Sequence, residues 1–288
     1  MTTQMPQRPF GTTGRPVAVI GQGSWKIEAA NRAAAIAALR RGLDLGMTHI
    51  DTAELYGYGK AESLVAAAIA GRRDEVFLVS KVMPQNASRK GVRLACERSL
   101  QFLKSDRLDC YLLHWRGSVP LAETVAALVA LQREGKILSW GVSNFDVDDL
   151  EELQALGAGL PACNQVLYHL RERAIEHGVI PWCVRQRVAV VAYTPFGPEP
   201  FPAPATAPGS EGGRVLADIA AAHRATPRQV ALAFVIRQPA VFAIPKASTV
   251  EHVEENAAAG ALHLNAEQLR LLEAAFPLRQ KPTSLPMI

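Results

Sequence analysis

Leu108-Asp109-Cys110-Tyr111-Leu112-Leu113-His114 is a short, almost uninterrupted apolar run that ends on a polar residue. A helical pattern follows over 121–135. Then comes a second run of the same kind, Leu138-Ser139-Trp140-Gly141-Val142-Ser143-Asn144. Apolar runs of this sort suit parallel strands buried on both faces, whereas a sheet with one wet face alternates polar and apolar residues. The same unit extends in both directions. Toward the N-terminus, strands are predicted over 49–53 and 76–82, with helices over 31–45 (Asn31 as N-cap), 60–70 and 91–104. A short apolar stretch, 17–20, precedes Gly21 and Gly23. Toward the C-terminus, strands are predicted over 162–168, 189–195 and 241–247. The accompanying helices are 146–156, 174–187 (tolerating Pro181 near its middle), 215–224, 227–238, 249–259 and 265–276. A Pro/Gly-rich loop spans 197–213. Roughly eight strand–helix repeats favour a closed (β/α)8 TIM barrel over an open sheet, and such barrels commonly fill about 250 residues as one domain. Residues 1–288 therefore read as one domain.

Two phosphate-binding alternatives fail on their glycines. The dinucleotide fingerprint needs G-x-G-x-x-G after the first strand, but the chain has Gly21-Gln22-Gly23-Ser24-Trp25-Lys26. A P-loop around Gly59-Lys60 lacks its first glycine, because Glu54 stands there, and Ala61 replaces the required Ser or Thr.

Composition narrows the class. Of 288 residues, 49% are hydrophobic and 20% charged, which suits a soluble globule rather than a disordered chain. The formal charge of +4 is scattered, with no basic run interleaved with aromatics, so no nucleic-acid partner is expected. No apolar run reaches the length of about 18 residues of a membrane span. The N-terminal 15 residues lack the apolar core of a signal peptide. The four cysteines, Cys96, Cys110, Cys163 and Cys183, form no C-x-x-C pair and sit in apolar surroundings. They read as buried thiols in a reducing compartment, the cytoplasm, with no metal. No long apolar helical face lacks an internal use, so a monomer is expected.

Polar residues at the carboxyl ends of barrel strands point into the mouth where such folds place their chemistry. Here those ends carry Asp51 and Tyr56, Lys81, His114 with Trp115, Ser143 with Asn144, Gln165, Tyr193 with Thr194, and Lys246. Each alone has a structural explanation, such as a rim lysine, a core histidine or a turn-capping aspartate. Together they share one end of the barrel.

The ordered segments Ile50-Asp51-Thr52-Ala53-Glu54-Leu55-Tyr56-Gly57 with Glu62, Ser80-Lys81, Leu113-His114, Gly141-Val142-Ser143-Asn144-Phe145, Asn164-Gln165, Ala192-Tyr193-Thr194-Pro195 and Ile244-Pro245-Lys246-Ala247-Ser248 closely resemble the aldo-keto reductase superfamily, in particular its short bacterial-type members. The resemblance covers about 11–256. It implies a (β/α)8 barrel with a short N-terminal β-hairpin, an NADP(H) or NAD(H) cofactor, and an aldehyde or ketone substrate.

The resemblance places a catalytic tetrad on Asp51, Tyr56, Lys81 and His114. A hydride delivered to a carbonyl carbon leaves an oxygen that needs a proton, and Tyr56 is the expected donor. An ordinary tyrosine pKa is about 10. One positive charge about 4 Å away, at an effective dielectric of about 20, contributes about 4 kcal/mol, or roughly three pK units. Lys81 should therefore lower Tyr56, less a desolvation cost. Asp51 holds Lys81 charged, and a neutral His114 orients the carbonyl. Tyr58 is the rival acid, but only Tyr56 matches the motif position.

For the cofactor, the resemblance points to Tyr193 stacking on the nicotinamide and to Ser143, Asn144 and Gln165 on its carboxamide. Gly23, Ser24 and Trp25, with Thr194, Pro195 and Phe196, would line the nicotinamide and pyrophosphate. Lys246, Ala247 and Ser248 would meet phosphate, and Glu255 and Asn256 the adenine. Many NADPH-preferring relatives carry arginine where this chain has His252, a weaker clamp for a 2′-phosphate. Lys246 still supplies charge, so NADP(H) is expected, with use of NAD(H) open. Trp25 and Trp115 join Tyr56 and His114 as walls of the substrate pocket, and the 197–213 loop reads as a mobile cover. Two rivals remain: a cofactor-binding regulatory subunit with little turnover, and a different barrel enzyme such as an isomerase or metal hydrolase.

Overall fold

The structure is a computed structural model and describes residues 5–288. Strands β1 (Gln7–Pro9) and β2 (Pro16–Ala18) form an antiparallel hairpin. Eight further strands form one parallel sheet in chain order: β3 (Gln22–Gly23), β4 (His49–Asp51), β5 (Phe77–Val82), β6 (Cys110–Leu113), β7 (Trp140–Ser143), β8 (Cys163–Leu167), β9 (Ala189–Tyr193) and β10 (Val241–Ala243). The sheet curls until its outer edges meet. Gly21 N–H donates to the Ala243 carbonyl at 2.8 Å, Ala243 N–H to Val19 at 3.0 Å, and Gly23 N–H to Pro245 at 3.1 Å. This is the arrangement expected of a (β/α)8 barrel. At Gly23 an added Cβ would stand 2.6 Å from the Ile244 carbonyl, so closure at this point requires glycine.

The helices between strands are α1 (Arg32–Asp44), α2 (Lys60–Ile69), α3 (Arg89–Leu103), α4 (Leu121–Arg133), α5 (Val147–Ala155), α6 (Val179–Gln186), α7 (Glu211–His223) and α8 (Pro227–Val235), and α9 (Val250–Ala258) and α10 (Ala266–Ala275) follow β10. Local chemistry fixes where they begin. The Asn31 side chain accepts the Ala34 N–H ahead of α1. Asp146 and Asp149 form a reciprocal capping box at α5, as do Thr226 and Gln229 at α8, where Pro227 occupies the first turn.

Strand alternation then positions the site. Phe77, Val79, Cys110, Leu112, Cys163, Val191 and Phe242 pack inside the curled sheet, while Leu78, Tyr111, Leu113, Val142, Val166 and Val190 pack outward under the helices. Counting on by two along the inward set reaches Lys81, His114, Gln165 and Tyr193. The polar cluster therefore stands above an apolar plug. Phe10, from the hairpin turn, seals the opposite end against Phe77 and Phe242, with ring centroids 4.7 and 5.1 Å away.

Three expectations need correction. The apolar stretch 17–20 is split rather than one sheet strand: Val17 and Ala18 pair within the hairpin, Ile20 bridges Ala243 in the parallel sheet, and β3 itself starts at Gln22. The segment 174–187 is not one helix. A single 3₁₀ turn, Ala174–His177, stops at Gly178, and α6 starts afresh, which puts Pro181 in a first turn where its missing N–H costs nothing. The loop over 197–213 ends early, because Ser210 caps α7 through the Gly213 N–H.

His49 lies at the floor of the sheet, edge-on to Phe10 and Phe77. Both its ring nitrogens are buried without a partner. Burial, and then the charge of Lys81, lower its pKa to about 3. The unfolded chain therefore binds a proton that the folded chain refuses, so stability falls as pH drops from about 6.5 toward 3. By pH 5 this one group costs about 2 kcal/mol. Thermal melting from pH 7 to pH 5 is expected to show a smaller loss in His49→Leu than in the wild type. His114 and His169, also lowered, keep part of the slope in both. Equal slopes would contradict the assignment.

Candidate active site

A cavity of about 230 Å³ opens at the carboxyl ends of the strands. Asp51 and Lys81 meet beneath it, Nζ to Oδ1 at 2.5 Å, with both side chains essentially fully buried. Lys81 also donates to the Thr52 carbonyl at 2.9 Å and to the Tyr56 hydroxyl at 3.2 Å. The second Asp51 oxygen accepts from Gln165 Nε2 at 2.8 Å. Burial opposes the ammonium, but the charges and hydrogen bonds of Asp51 and Tyr56 outweigh it and hold Lys81 above its ordinary pKa. Burial likewise pushes the Asp51 carboxyl up while Lys81 pulls it back. The close contact and the Gln165 hydrogen bond favour the ion pair.

Tyr56 sits on the loop after β4. Glu54 pins that loop to the end of β5 by accepting Met83 N–H at 2.6 Å, Asn86 Nδ2 at 3.0 Å and an Arg98 nitrogen at 2.9 Å. The Tyr56 ring meets His114 edge-on, with centroids 5.7 Å apart. Its pKa corrects the expectation of a lowered value. Burial raises it more than Lys81 lowers it, and the Asp51 charge raises it further. The phenol thus keeps its proton at neutral pH. Tyr58, two residues on, is 80% exposed and lies outside the cavity. His114 is held neutral, with a pKa of about 2, by burial first and the Lys81 charge second.

Around these groups the cavity is lined by Gly23, Ser24, Trp25, Trp115, Ser143, Asn144, Gln165, Tyr193, Thr194 and Lys246. Tyr193 donates to Asn144 Oδ1 at 2.8 Å, and Asn144 Nδ2 reaches the His114 carbonyl at 3.2 Å. Ser143 donates to the Gln165 carbonyl at 2.8 Å. Asn144 and Thr194 both take a left-handed backbone conformation, which a β-branched threonine adopts only under strain. The Ser24 hydroxyl is buried without a partner. Leu55, Ile244 and Ile288 also line the cavity. Sequence reasoning missed all three. Ile244 was findable by strand alternation, whereas Ile288 carries no local signal.

The remaining expected residues fall outside this cavity. Pro195 and Phe196 follow β9, and Ala247 is buried behind Lys246, whose Nζ is 3.4 Å from Ser248 Oγ. His252 is exposed in the first turn of α9, and Asn256 is buried with both amide atoms unpartnered. Glu255 lines a second cavity of about 250 Å³, beside Phe201, Thr226 and Arg228. Among the described residues no cluster of three or more His, Cys, Asp or Glu could hold a metal ion, and no helix is long and apolar enough to cross a membrane.

A model of the aldo/keto reductase family matches residues 19–276. The methylglyoxal reductase YeaE of Escherichia coli (strain K12) is 46% identical over 272 residues, covering 93% of this chain and 94% of its own. The glyoxal reductase of Bacillus subtilis (strain 168) is 32% identical, covering 88% and 87%. Two crystal structures of Klebsiella pneumoniae aldo-keto reductases, one with NADP and acetate and one with NADPH, are each 42% identical. They cover 99% of this chain and 100% of theirs, with TM-scores of 0.87 and 0.88.

Proposed function

This chain belongs to the aldo/keto reductase family, and from that premise we propose that it reduces small aldehydes or ketones to alcohols with NADPH, Tyr56 acting as general acid. The observation that carries the reading is the buried relay Asp51–Lys81–Tyr56, which ends on a protonated hydroxyl facing the cavity.

Two features support a fit for the cofactor. The Ser24 hydroxyl beside the first cavity and the Asn256 amide beside Glu255 are buried and lack partners, and a bound dinucleotide would supply them. The cavities at the two places also suit a two-ended ligand. Tyr193, Ser143, Asn144 and Gln165 would hold the nicotinamide, with Gly23, Ser24, Trp25 and the segment from Thr194 to Phe196 lining the nicotinamide and pyrophosphate. Lys246, Ala247, Ser248 and His252 would meet phosphate, and Glu255 and Asn256 the adenine. The bound cofactor supplies the hydride. Tyr56 gives its proton to the carbonyl oxygen, and Lys81 then stabilises the phenolate that remains. His114, uncharged, orients the oxygen by a hydrogen bond without drawing the proton away. Trp25 and Trp115 bound the substrate end. Both relatives compared are reductases of dicarbonyls, and a dicarbonyl such as methylglyoxal is the substrate class we favour. A cytoplasmic location belongs to the same proposal, supported by four cysteines that are buried and free, and we propose a monomer with it.

The direct assay is NADPH consumption with dicarbonyls, aromatic aldehydes and keto sugars, each compared with NADH. Dicarbonyls should lead. Replacing His252 by Arg adds a permanent charge at the start of α9 and should raise the NADPH-over-NADH preference about tenfold. An unchanged ratio would remove His252 from the phosphate site.

A further inference from the structure

Glu62 and Ser80 belong to the motif segments, yet the reductive chemistry gives neither a task. Ser80 precedes Lys81 on β5, and alternation along the strand turns it away from the cavity, out under the helices. There its hydroxyl donates to Glu62 Oε1 at 2.7 Å, with both residues fully buried. Glu62 lies in the first turn of α2, which continues directly from the Tyr56–Gly59 turn. The bond therefore ties the segment that carries Tyr56 to the strand that carries Lys81. The tether does not run through an ion pair. Among the described residues Glu62 has no cationic partner, and Arg98, whose charge bears on it, is bound to Glu54 at 2.9 Å. The neighbouring groups are neutral hydroxyls, Ser99 on α3 and Tyr111 on β6. Burial raises the Glu62 pKa, and the hydroxyls of Ser80 and Ser99 offset it only in part.

We propose that Glu62 is a positioning residue whose hydrogen bond to Ser80 sets the separation of Tyr56 and Lys81, and that it acts as an acceptor rather than as a charge. This rests on the reading of Tyr56 as the acid. Lys81 stabilises the phenolate only at hydrogen-bond range, and Nζ stands 3.2 Å from the Tyr56 hydroxyl. Glu54 holds the same segment to the end of β5 from the other side of Tyr56 in sequence. Without the Glu62 bond that segment keeps only one of its two carboxylate tethers to the β5 side of the site. A small displacement of Tyr56 from Lys81 is then felt in proton transfer and not in cofactor binding.

The test compares wild type with Glu62→Ala, Ser80→Ala and Glu62→Gln in three measurements: steady-state reduction of methylglyoxal, NADPH binding by tryptophan fluorescence, and melting of the ligand-free proteins. Ser139→Ala is the control for stability. It removes a buried hydroxyl tether of the same kind, to the Asp109 carbonyl at 2.7 Å, away from the cavity. Both alanine variants at the tether should lose about tenfold in kcat while NADPH affinity stays within about twofold. Glutamine keeps an oxygen for Ser80 and should hold kcat within about twofold of wild type. Ser80→Ala removes a single hydroxyl, so it carries the test if Glu62→Ala melts too low to assay. Wild-type kcat in Ser80→Ala, a glutamine variant that falls as far as alanine, or a kcat loss that Ser139→Ala shares would each overturn the tether. Wild type without turnover would overturn the reductase reading, and this inference with it.

Discussion

Tyr56→Phe is expected to lower turnover of small aldehydes by about a thousandfold while NADPH affinity stays within about twofold. The substitution removes one oxygen. The ring that meets His114 edge-on remains, so the cavity wall is preserved. What disappears is the hydroxyl 3.2 Å from Lys81 Nζ, which is the proton source of the proposed reaction. Tyr58, the other nearby phenol, is exposed and lies outside the cavity, so it offers no substitute. Steady-state kinetics and fluorescence titration separate the two quantities. A variant with wild-type kcat would show that the proton comes from elsewhere.

Lys81→Met is expected to have the second large effect, on stability as well as rate. Lys81 and Asp51 are 0% and 1% exposed. Removing the lysine strands a carboxylate where water does not reach, at a cost of about 3–5 kcal/mol. For a chain of this size that lowers the melting temperature by roughly 5–8 °C. The double variant Asp51→Asn/Lys81→Met removes both charges. Its amide oxygen can still accept from Gln165, so most of the stability should return, but turnover should not, because no cation remains to stabilise the phenolate. A single variant as stable as wild type would contradict the buried pair.

The parallel sheet was legible because strands buried on both faces must be apolar throughout, and the break to a polar residue marks where each strand ends. Asp51, Lys81, His114, Gln165 and Tyr193 stand out for that reason. Their convergence follows from alternation along neighbouring strands. The stretch 17–20 was not legible in the same way. Residues buried in a hairpin and residues buried in a parallel strand carry the same apolar pattern, and only pairing partners distinguish them. Pro181 looked like an interruption because Gly178, which ends the preceding turn, does not advertise its conformation. The direction of the Tyr56 shift failed for a different reason. The sequence supplies the Lys81 charge but not the depth of burial, and burial prevails. Arg228 and Ile288 lie in no motif. They reach their cavities only through tertiary packing.

The most direct test of the account is the product balance of the wild-type protein. NADPH and methylglyoxal are incubated with it, and cofactor loss is followed together with alcohol formed, beside the Tyr56→Phe variant. The account predicts one alcohol per NADPH consumed, and almost none of either in the variant. Tight binding of NADPH with no consumption in the presence of methylglyoxal or any other aldehyde or ketone would contradict it, and would instead describe a cofactor-binding regulatory subunit.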